Sequence, residues 1–392
     1  MSHPSFDWRS IAALNAVSTL AQIGQFGIPF IVMPLWLEQQ GADTLQLSLF
    51  ASCLWLGQLP GLGWAPRMVQ HLGAKRVILV ALLSTGLALL ALMSGWTAMW
   101  LPAGLLAGFG QGLRWIGLEP WLYRIAPGHA RGRLIGFHET LIALAPIAAP
   151  AFTQWTGVDG NAPLCIGIGF VVMAALPLPW AREEQPMPAG AASASAATKP
   201  FWHLPKEGIF MAGVVLALFG GMSESAFAGL FPIYAKAHQL NAVDIASLMM
   251  SFGLGGLLCQ YFFGWLADHR GMRFAGLCCS ANAVGVALLL VLPLGLMTMH
   301  IAVFCMGGLI TAYLTLALIA GAKTHEGSMA GNMSALSMVY TLTAIAGPLL
   351  AGGAIKVLGG NGLMWTLAGF AVFMTVGLAR LAARSAWTSP GN

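Results

Sequence analysis

The sequence predicts an all-α membrane protein, twelve transmembrane helices in two six-helix bundles. Three observations carry that reading. About twelve apolar stretches are long enough to cross a bilayer, nearly all the positive charge falls in every second gap between them, and the two halves of the chain echo each other.

A bilayer core is about 30 Å thick, so a spanning α-helix needs roughly 20 mostly apolar residues. With 58% hydrophobic and 8% charged residues among 392, the chain lies far from soluble domains, where about 25% of residues are charged. The apolar runs predict spans at Ile11–Leu37, Leu47–Pro66, Val77–Gly95, Trp96–Leu118, Leu134–Trp155, Pro163–Trp180, Ile209–Ala235, Ile245–Ala267, Phe274–Pro293, Thr298–Ala322, Ala330–Lys356 and Gly362–Leu381. The first run lacks an early small-residue cleavage site and further spans follow it, so it reads as a retained helix rather than a signal peptide. Cys53, Cys165, Cys259, Cys278, Cys279 and Cys305 all fall inside spans. Without paired extramembrane positions or metal-ligand spacing they read as small packing residues.

Successive spans alternate direction, so the gaps sort into two sets. One set, with both termini, holds Arg9, Arg67, Lys75, Arg76, Arg124, Arg131, Arg133, Arg182, Lys199, Lys206, Arg270, Arg273, Lys323, Arg380 and Arg384; the other holds Lys236 and Lys356, and Arg114 lies within a span. By the positive-inside rule the termini and the central linker are expected in the cytoplasm, with the protein in a bacterial inner membrane. This asymmetry accounts for the net charge of +5 and leaves no charge-based case for a nucleic-acid partner.

Between the sixth and seventh spans the run AREEQPMPAGAASASAATKP mixes Pro, Ala, Ser and charge, which bury little and favour a flexible linker. The expected organisation is therefore a bundle over 1–180, a linker over 181–207 and a second bundle over 208–392. Pro34 and Asp43 precede a span ending in Gly63-Trp64 and a loop with Gly73, Lys75 and Arg76; Pro232 and Asp244 precede one ending in Gly264-Trp265 and a loop with Gly271 and Arg273. Gly132 and Gly136 open the fifth span as Gly327 and Gly331 open the eleventh, with Pro150 and Pro348 near the far ends. A six-plus-six repeat of this kind builds transporters around a midplane site between two bundles.

On these residues the chain resembles the major facilitator superfamily over essentially its full length. GWLADHRGMR, Gly264 to Arg273, is similar to the superfamily loop of Gly, Asp and basic residues around a second Gly. The counterpart GWAPRMVQHLGAKR is degenerate, with Arg67 taken as the residue at the acidic position. EPWLYRIAPGHARGRLIGF, Glu119 to Phe137, resembles the YcaD-like branch. The fourth-span motif of Arg and spaced glycines is met by Gly108, Gly110 and Gly112, but Gly104 stands at the Arg position and Arg114 comes later. The resemblance implies a conformational gate built from Gly264, Asp268, Arg270, Gly271 and Arg273. Glu119 with Arg124, Arg131, Gly132 and Arg133, close in sequence, would form either an interfacial cluster closing the inward side or a simple neutralisation of charge.

Ionisable groups inside a span cost about 2.5–3.5 kcal/mol on insertion scales and normally face protein or water. Glu224 lies near the middle of the seventh span in GGMSESAF, a cavity-lining helix by the resemblance. Gly220, Gly221, Ser223 and Ser225 are expected to leave room there for water. It reads as a protonatable or cation-attracting site, or else as a structural carboxyl bonded to a neighbouring helix. Arg114 and Glu139 have similar depth on adjacent spans, so they are expected to pair, or Arg114 to bind an anionic substrate; His138 beside Glu139 reads as a packing or interfacial histidine. Gln22 and Gln25, three apart, share a helix face and form either a substrate-facing stripe with Asn15 and Pro29 or interhelical hydrogen bonds. The same two readings apply to Gln58, Gln111, Asn282, Asn332 and Tyr340.

No catalytic constellation stands out, and no GxxxxGK[ST] phosphate loop is present, which argues against direct ATP hydrolysis. The expected function is secondary active transport of a small solute by alternating access in a monomer, with no metal and no cofactor and with protons as the coupling ion through Glu224. Efflux by antiport is favoured over uptake by symport. A membrane-embedded enzyme would need a tighter cluster of acid, base or metal ligands, and a sensor that kept the fold would show no counterflow.

Overall fold

The computed structural model describes residues 7–125, 131–182, 205–326 and 329–384, and every regular element among them is helical. In chain order, α1 runs Trp8–Gln39, α2 Thr44–Leu72, α3 Ala74–Met93, α4 Trp100–Ile125 and α6 Ala162–Ala175, with α5 in two pieces, Arg131–Ile142 and Ala145–Thr156. Then come α7 Gly208–Ala237, α8 Ala242–His269, α9 Met272–Leu289, α10 Leu296–Ala322, α11 as Met329–Ala344 and Ala346–Leu358, and α12 Gly362–Arg384. Ten of the twelve satisfy the length and apolarity of a membrane span. The exceptions are α4, 26 residues long but carrying Arg114, Glu119 and Arg124, and α5, which is broken.

Both breaks correct the expectation of continuous fifth and eleventh spans. Pro146 and Pro348 stand just inside the second pieces of α5 and α11. A proline there removes one backbone donor and crowds the carbonyl four residues back, so the helix interrupts one turn earlier. In α1 the same chemistry has a milder outcome. Around Pro29 the helix widens to a π-helix over Ile23–Val32 instead of breaking.

The chain separates into two compact units, Met1–Gln39 with Cys53–Ala192, and Gln40–Ser52 with Ser193–Asn392. The division thus runs through the first turns of α2, which the sequence reading assigned whole to the first half. In the second unit Ser52 donates to the carbonyl of Ile345, at the break in α11, at 2.8 Å.

Within each unit one helix crossing repeats. In the first, a Cβ at Gly57 would collide with the carbonyl of Leu105, and one at Gly108 with the carbonyl of Leu54. In the second, Gly255 faces the carbonyl of Phe304 and Gly307 that of Phe252 in the same way. Only glycine lets two helix backbones approach so closely. Gly73 and Gly271 precede α3 and α9 with the same backbone angles, φ 84° and ψ 155°, a conformation that L side chains rarely adopt.

These anchors refine the register of the repeat. Counting back from the matched glycines, Gln70 rather than Arg67 occupies the position of Asp268. At the start of α2 the Asp43 carboxylate accepts from the backbone N–H of Gln46 at 2.8 Å, and at the start of α8 the Asn241 side chain accepts from Asp244 N–H at 2.9 Å. Asp43 therefore corresponds to the cap Asn241 and not to Asp244, because a helix start demands a side-chain acceptor at that one position.

Large apolar side chains cover much of the outer surface. On α3, Leu79, Leu83, Leu87 and Leu90 are all exposed at helical spacing, an arrangement suited to lipid and unfavourable in water. Trp64, Trp96, Trp155 and Trp180 are exposed near helix ends, as expected of aromatic belts at membrane interfaces.

Candidate functional site

Three buried polar side chains of the first unit lie on one stripe of α1. Asn15, Ser18 and Gln22 recur at helical spacing, and all three are buried. Across from them α4 supplies Gln111 and Arg114, one turn apart on one face. Arg114, only 1% exposed, donates from one terminal nitrogen to Ser18 Oγ at 3.2 Å and from the other to Gln22 Oε1 and to Gln111 Oε1, the last at 3.2 Å. The Gln111 amide also donates to Gln22 Oε1 at 3.4 Å. From α5, His138 lies fully buried with Nδ1 3.1 Å from Asn15 Oδ1.

The glycines of α4 serve this arrangement by packing. Gly108 and Gly112 press against α2, at the carbonyls of Leu54 and Gln58, while Gly110 between them faces Ala81 and Thr85 of α3. The alternation lets one helix fit closely between two others, so Arg114 is held at a fixed depth.

Arg114 and Glu139 do not pair. Glu139 is exposed and accepts a 2.8 Å hydrogen bond from the Tyr123 hydroxyl, whereas Arg114 turns inward to α1. Similar depth along two helices did not fix the faces. Gln22 and Gln25 also part company: Gln22 meets α4, but Gln25 donates to the Ala81 carbonyl and to Thr85 Oγ1 of α3, both at 2.9 Å. The π-helix begins between them at Ile23, and its wider turn changes the angle that three residues cover.

In the second unit the Tyr340 hydroxyl of α11 donates to the carboxylate of Glu224, which is partly buried on α7. The faces of α7 at Gly220 and Gly221 are filled by protein, while Glu224 itself stays partly exposed. A Cβ at Gly220 would lie 2.8 Å from Tyr313 Cβ and 3.0 Å from the Tyr340 ring, and Gly221 abuts the Tyr340 carbonyl and Thr343. Small residues on α7 thus admit the bulk of α10 and α11. Ser223 and Ser225 bond to their own helix, at the carbonyls of Phe219 and Gly221.

The remaining expected site residues lie elsewhere. Asn332 donates to the Glu326 carbonyl at 2.9 Å. Exposed Asn282 bonds to its own helix at Cys278 O. Buried Gln58 keeps an oxygen without a partner. Asp268 pairs with Lys323 at the end of α10, 3.1 Å away, while Arg270 and Arg273 are exposed and Gly264 faces open space. Glu119 lies on α4 beyond Arg114, partly buried. The side chains of Arg131, Gly132 and Arg133 lie outside the described ones, as do Gly327 and the linker over 183–204. Sequence reasoning missed Ser18 and Thr85; Ser18, four residues before Gln22, was legible as a same-face neighbour.

The family model of the Major Facilitator Superfamily matches residues 15–335. An uncharacterized MFS-type transporter of Yersinia pestis (strain Pestoides F) is 27% identical over 364 residues, covering 89% of this chain and 90% of the relative. The uncharacterized MFS-type transporter YcaD of Salmonella newport is 24% identical over 329 residues, 82% of each chain. Among solved structures, a mutant of the nucleoside transporter NupG matches with a TM-score of 0.78 at 12% identity, over 95% of this chain and 99% of that one. The E. coli fucose:proton symporter FucP matches with a TM-score of 0.62 at 11% identity, over 96% and 99%. At such identities the structural likeness shows a shared fold, while the family model spans most of the chain. The protein is a multi-pass membrane protein that belongs to the Major Facilitator Superfamily, a family of transporters.

Proposed function

We propose that this chain is a proton-coupled secondary transporter that exports a small solute across a bacterial inner membrane by alternating access, with both termini and the linker over 181–207 in the cytoplasm. The observation that carries the coupling is the hydrogen bond from Tyr340 to Glu224. A carboxylate inside a membrane helix is expensive unless it is partnered. A phenol O–H supplies such a partner to the ionised form, and proton uptake removes the need for that donor. Loading and unloading a proton therefore changes what holds α7 to α11. Proton coupling, named for FucP, rests here on Glu224 and not on the shared fold. The charge asymmetry of the gaps supports the orientation. The Asp268–Lys323 pair supports a conformational gate at the end of α10.

The test compares the medium of cells producing wild type with that of cells producing Glu224→Gln. A solute enriched outside by wild type should lose that enrichment on addition of a protonophore and in the variant. Depletion of the solute from the medium would instead establish uptake, and a Glu224→Gln protein that still builds the full gradient would assign Glu224 to structure.

A further inference from the structure

We infer that Arg114 is the centre of an anion subsite inside the first unit, built for the single carboxylate of a small solute; this deepens the transport reading and rests on it. A guanidinium stays protonated in proteins, and burying an ion without a counter-charge is costly even after relaxation. The hydrogen-bond partners of Arg114 are neutral oxygens, the hydroxyl of Ser18 and the amides of Gln22 and Gln111, while Glu119, five residues on along α4, acts on it only through space. The acid expected as its partner, Glu139, is engaged otherwise. Glu139 is exposed and bonded to Tyr123, and no ion pair to Arg114 occurs among the described residues.

Two buried groups in this cluster also lack partners, Arg114 Nε and His138 Nε2. Native interiors leave few such groups, and each calls for a reason. Nε lies on the guanidinium edge that carboxylates grip with two parallel hydrogen bonds. The terminal nitrogen on that edge leans on the amide oxygens of Gln22 and Gln111, acceptors that a charged oxygen outcompetes. A carboxylate docking here would satisfy Nε and neutralise the charge in one step. The displaced amides can turn their N–H groups toward the newcomer, since Asn and Gln offer donor and acceptor alike.

The charge count selects the ligand class. One guanidinium, surrounded by amides and a hydroxyl, balances one negative charge. A dianionic phosphate would leave half its charge buried without compensation.

The test uses the purified full-length protein in mildly alkaline buffer, where inorganic phosphate is dianionic, and follows its thermal unfolding with benzoate, lactate and hippurate, each against its neutral amide (benzamide, lactamide, hippuramide), and with inorganic phosphate. At least one monocarboxylate is expected to raise the unfolding midpoint of wild type while its amide and phosphate do not, because a ligand of the native state stabilises it by mass action. Arg114→Lys keeps the charge without the fork and should weaken the affinity at least about tenfold, the loss of one charge-assisted hydrogen bond. Arg114→Gln should abolish the shift. Glu224→Gln should retain it, so a fault in the coupling reading leaves the subsite result standing. The proposal is overturned if none of the three carboxylates shifts wild type, if amides or phosphate shift it equally, or if the shift survives unchanged in Arg114→Lys.

Discussion

At one point of the repeated scaffold the two units made opposite choices. Six residues beyond the crossing glycine, α4 carries Arg114 and α10 carries Tyr313, both almost fully buried. Facing them, twelve residues before the proline that α1 and α7 share, stand Gln22 and Gly220. The first unit joins these helices by a guanidinium bonded to an amide, the second by the Cβ of Tyr313 pressed against a glycine. The acid Glu224 has Phe26 at the matching place. A shared backbone plan thus holds a fixed cation in one unit and a titratable acid in the other. The helix crossing is compatible with both because the glycines that set its close approach lie six residues before the positions that differ.

Breaking the polar version should have the largest effect. Arg114→Leu would strip the donor from Ser18, Gln22 and Gln111, and acceptors left unpaired in a protein interior lose about 1–3 kcal/mol each. Unfolding in mixed micelles should show the loss, and an unchanged midpoint would mean that these oxygens find water or one another.

The common backbone can be tested by filling its contact points. Gly108→Ala and Gly307→Ala should each destabilise by about 1–3 kcal/mol, the usual effect of overpacking, and by similar amounts in the two units. Gly63→Ala and Gly264→Ala, which meet open space, should be neutral or stabilising by up to about 1 kcal/mol from helix propensity. Unequal losses at Gly108 and Gly307 would show that the crossings differ in tightness.

A double-mutant cycle sharpens the boundary of the Arg114 cluster. Arg114→Gln and Glu139→Gln should act additively within about 0.5 kcal/mol, because the two side chains make no direct contact and share no hydrogen-bond partner. A larger coupling would return Glu139 to the site.

The smallest effect is expected at the entry to α1. Asp7 accepts from the Ser10 hydroxyl at 2.7 Å and from its backbone N–H at 3.2 Å, and Arg182 lies 4.0 Å away. The Ser10 hydrogen bonds, then the Arg182 charge, hold the Asp7 carboxyl below its usual range. A depressed native pKa gives stability that is present above the ordinary aspartate value, about 3.9, and is lost as pH falls through the native one. Asp7→Asn should therefore be slightly less stable than wild type at neutral pH, and the gap should close on acidification below about pH 4. A gap independent of pH would reduce Asp7 to a neutral cap.

The helices were legible because each must be apolar along its own length. All ten helices that meet the span criterion overlap a run read from sequence. The glycine-proline punctuation also announced the repeat, and Glu224 announced itself as a carboxylate deep in a span. The misses have a common cause. Pairing Arg114 with Glu139 used depth, which a sequence supplies through the rise per residue, but contact also needs the rotation of each helix about its axis. That rotation is set by packing on neighbours. The π-helical turn at Ile23–Val32 that sends Gln22 and Gln25 to different helices likewise depends on how the turn before Pro29 is accommodated by its surroundings.

By itself, then, the sequence determined that the chain lives in a bilayer, how many helices it brings there and where its costly charges lie. Hydrophobic length and charge placement are local properties, and the membrane imposes them segment by segment. Tertiary structure decided which of those charges meet. It gave Glu224 a tyrosine partner, Arg114 three neutral oxygens as hydrogen-bond partners instead of Glu139, and Gln40–Ser52 a place in the second unit. Those outcomes come from helix rotation and close glycine crossings, which many residues far apart in the chain fix together.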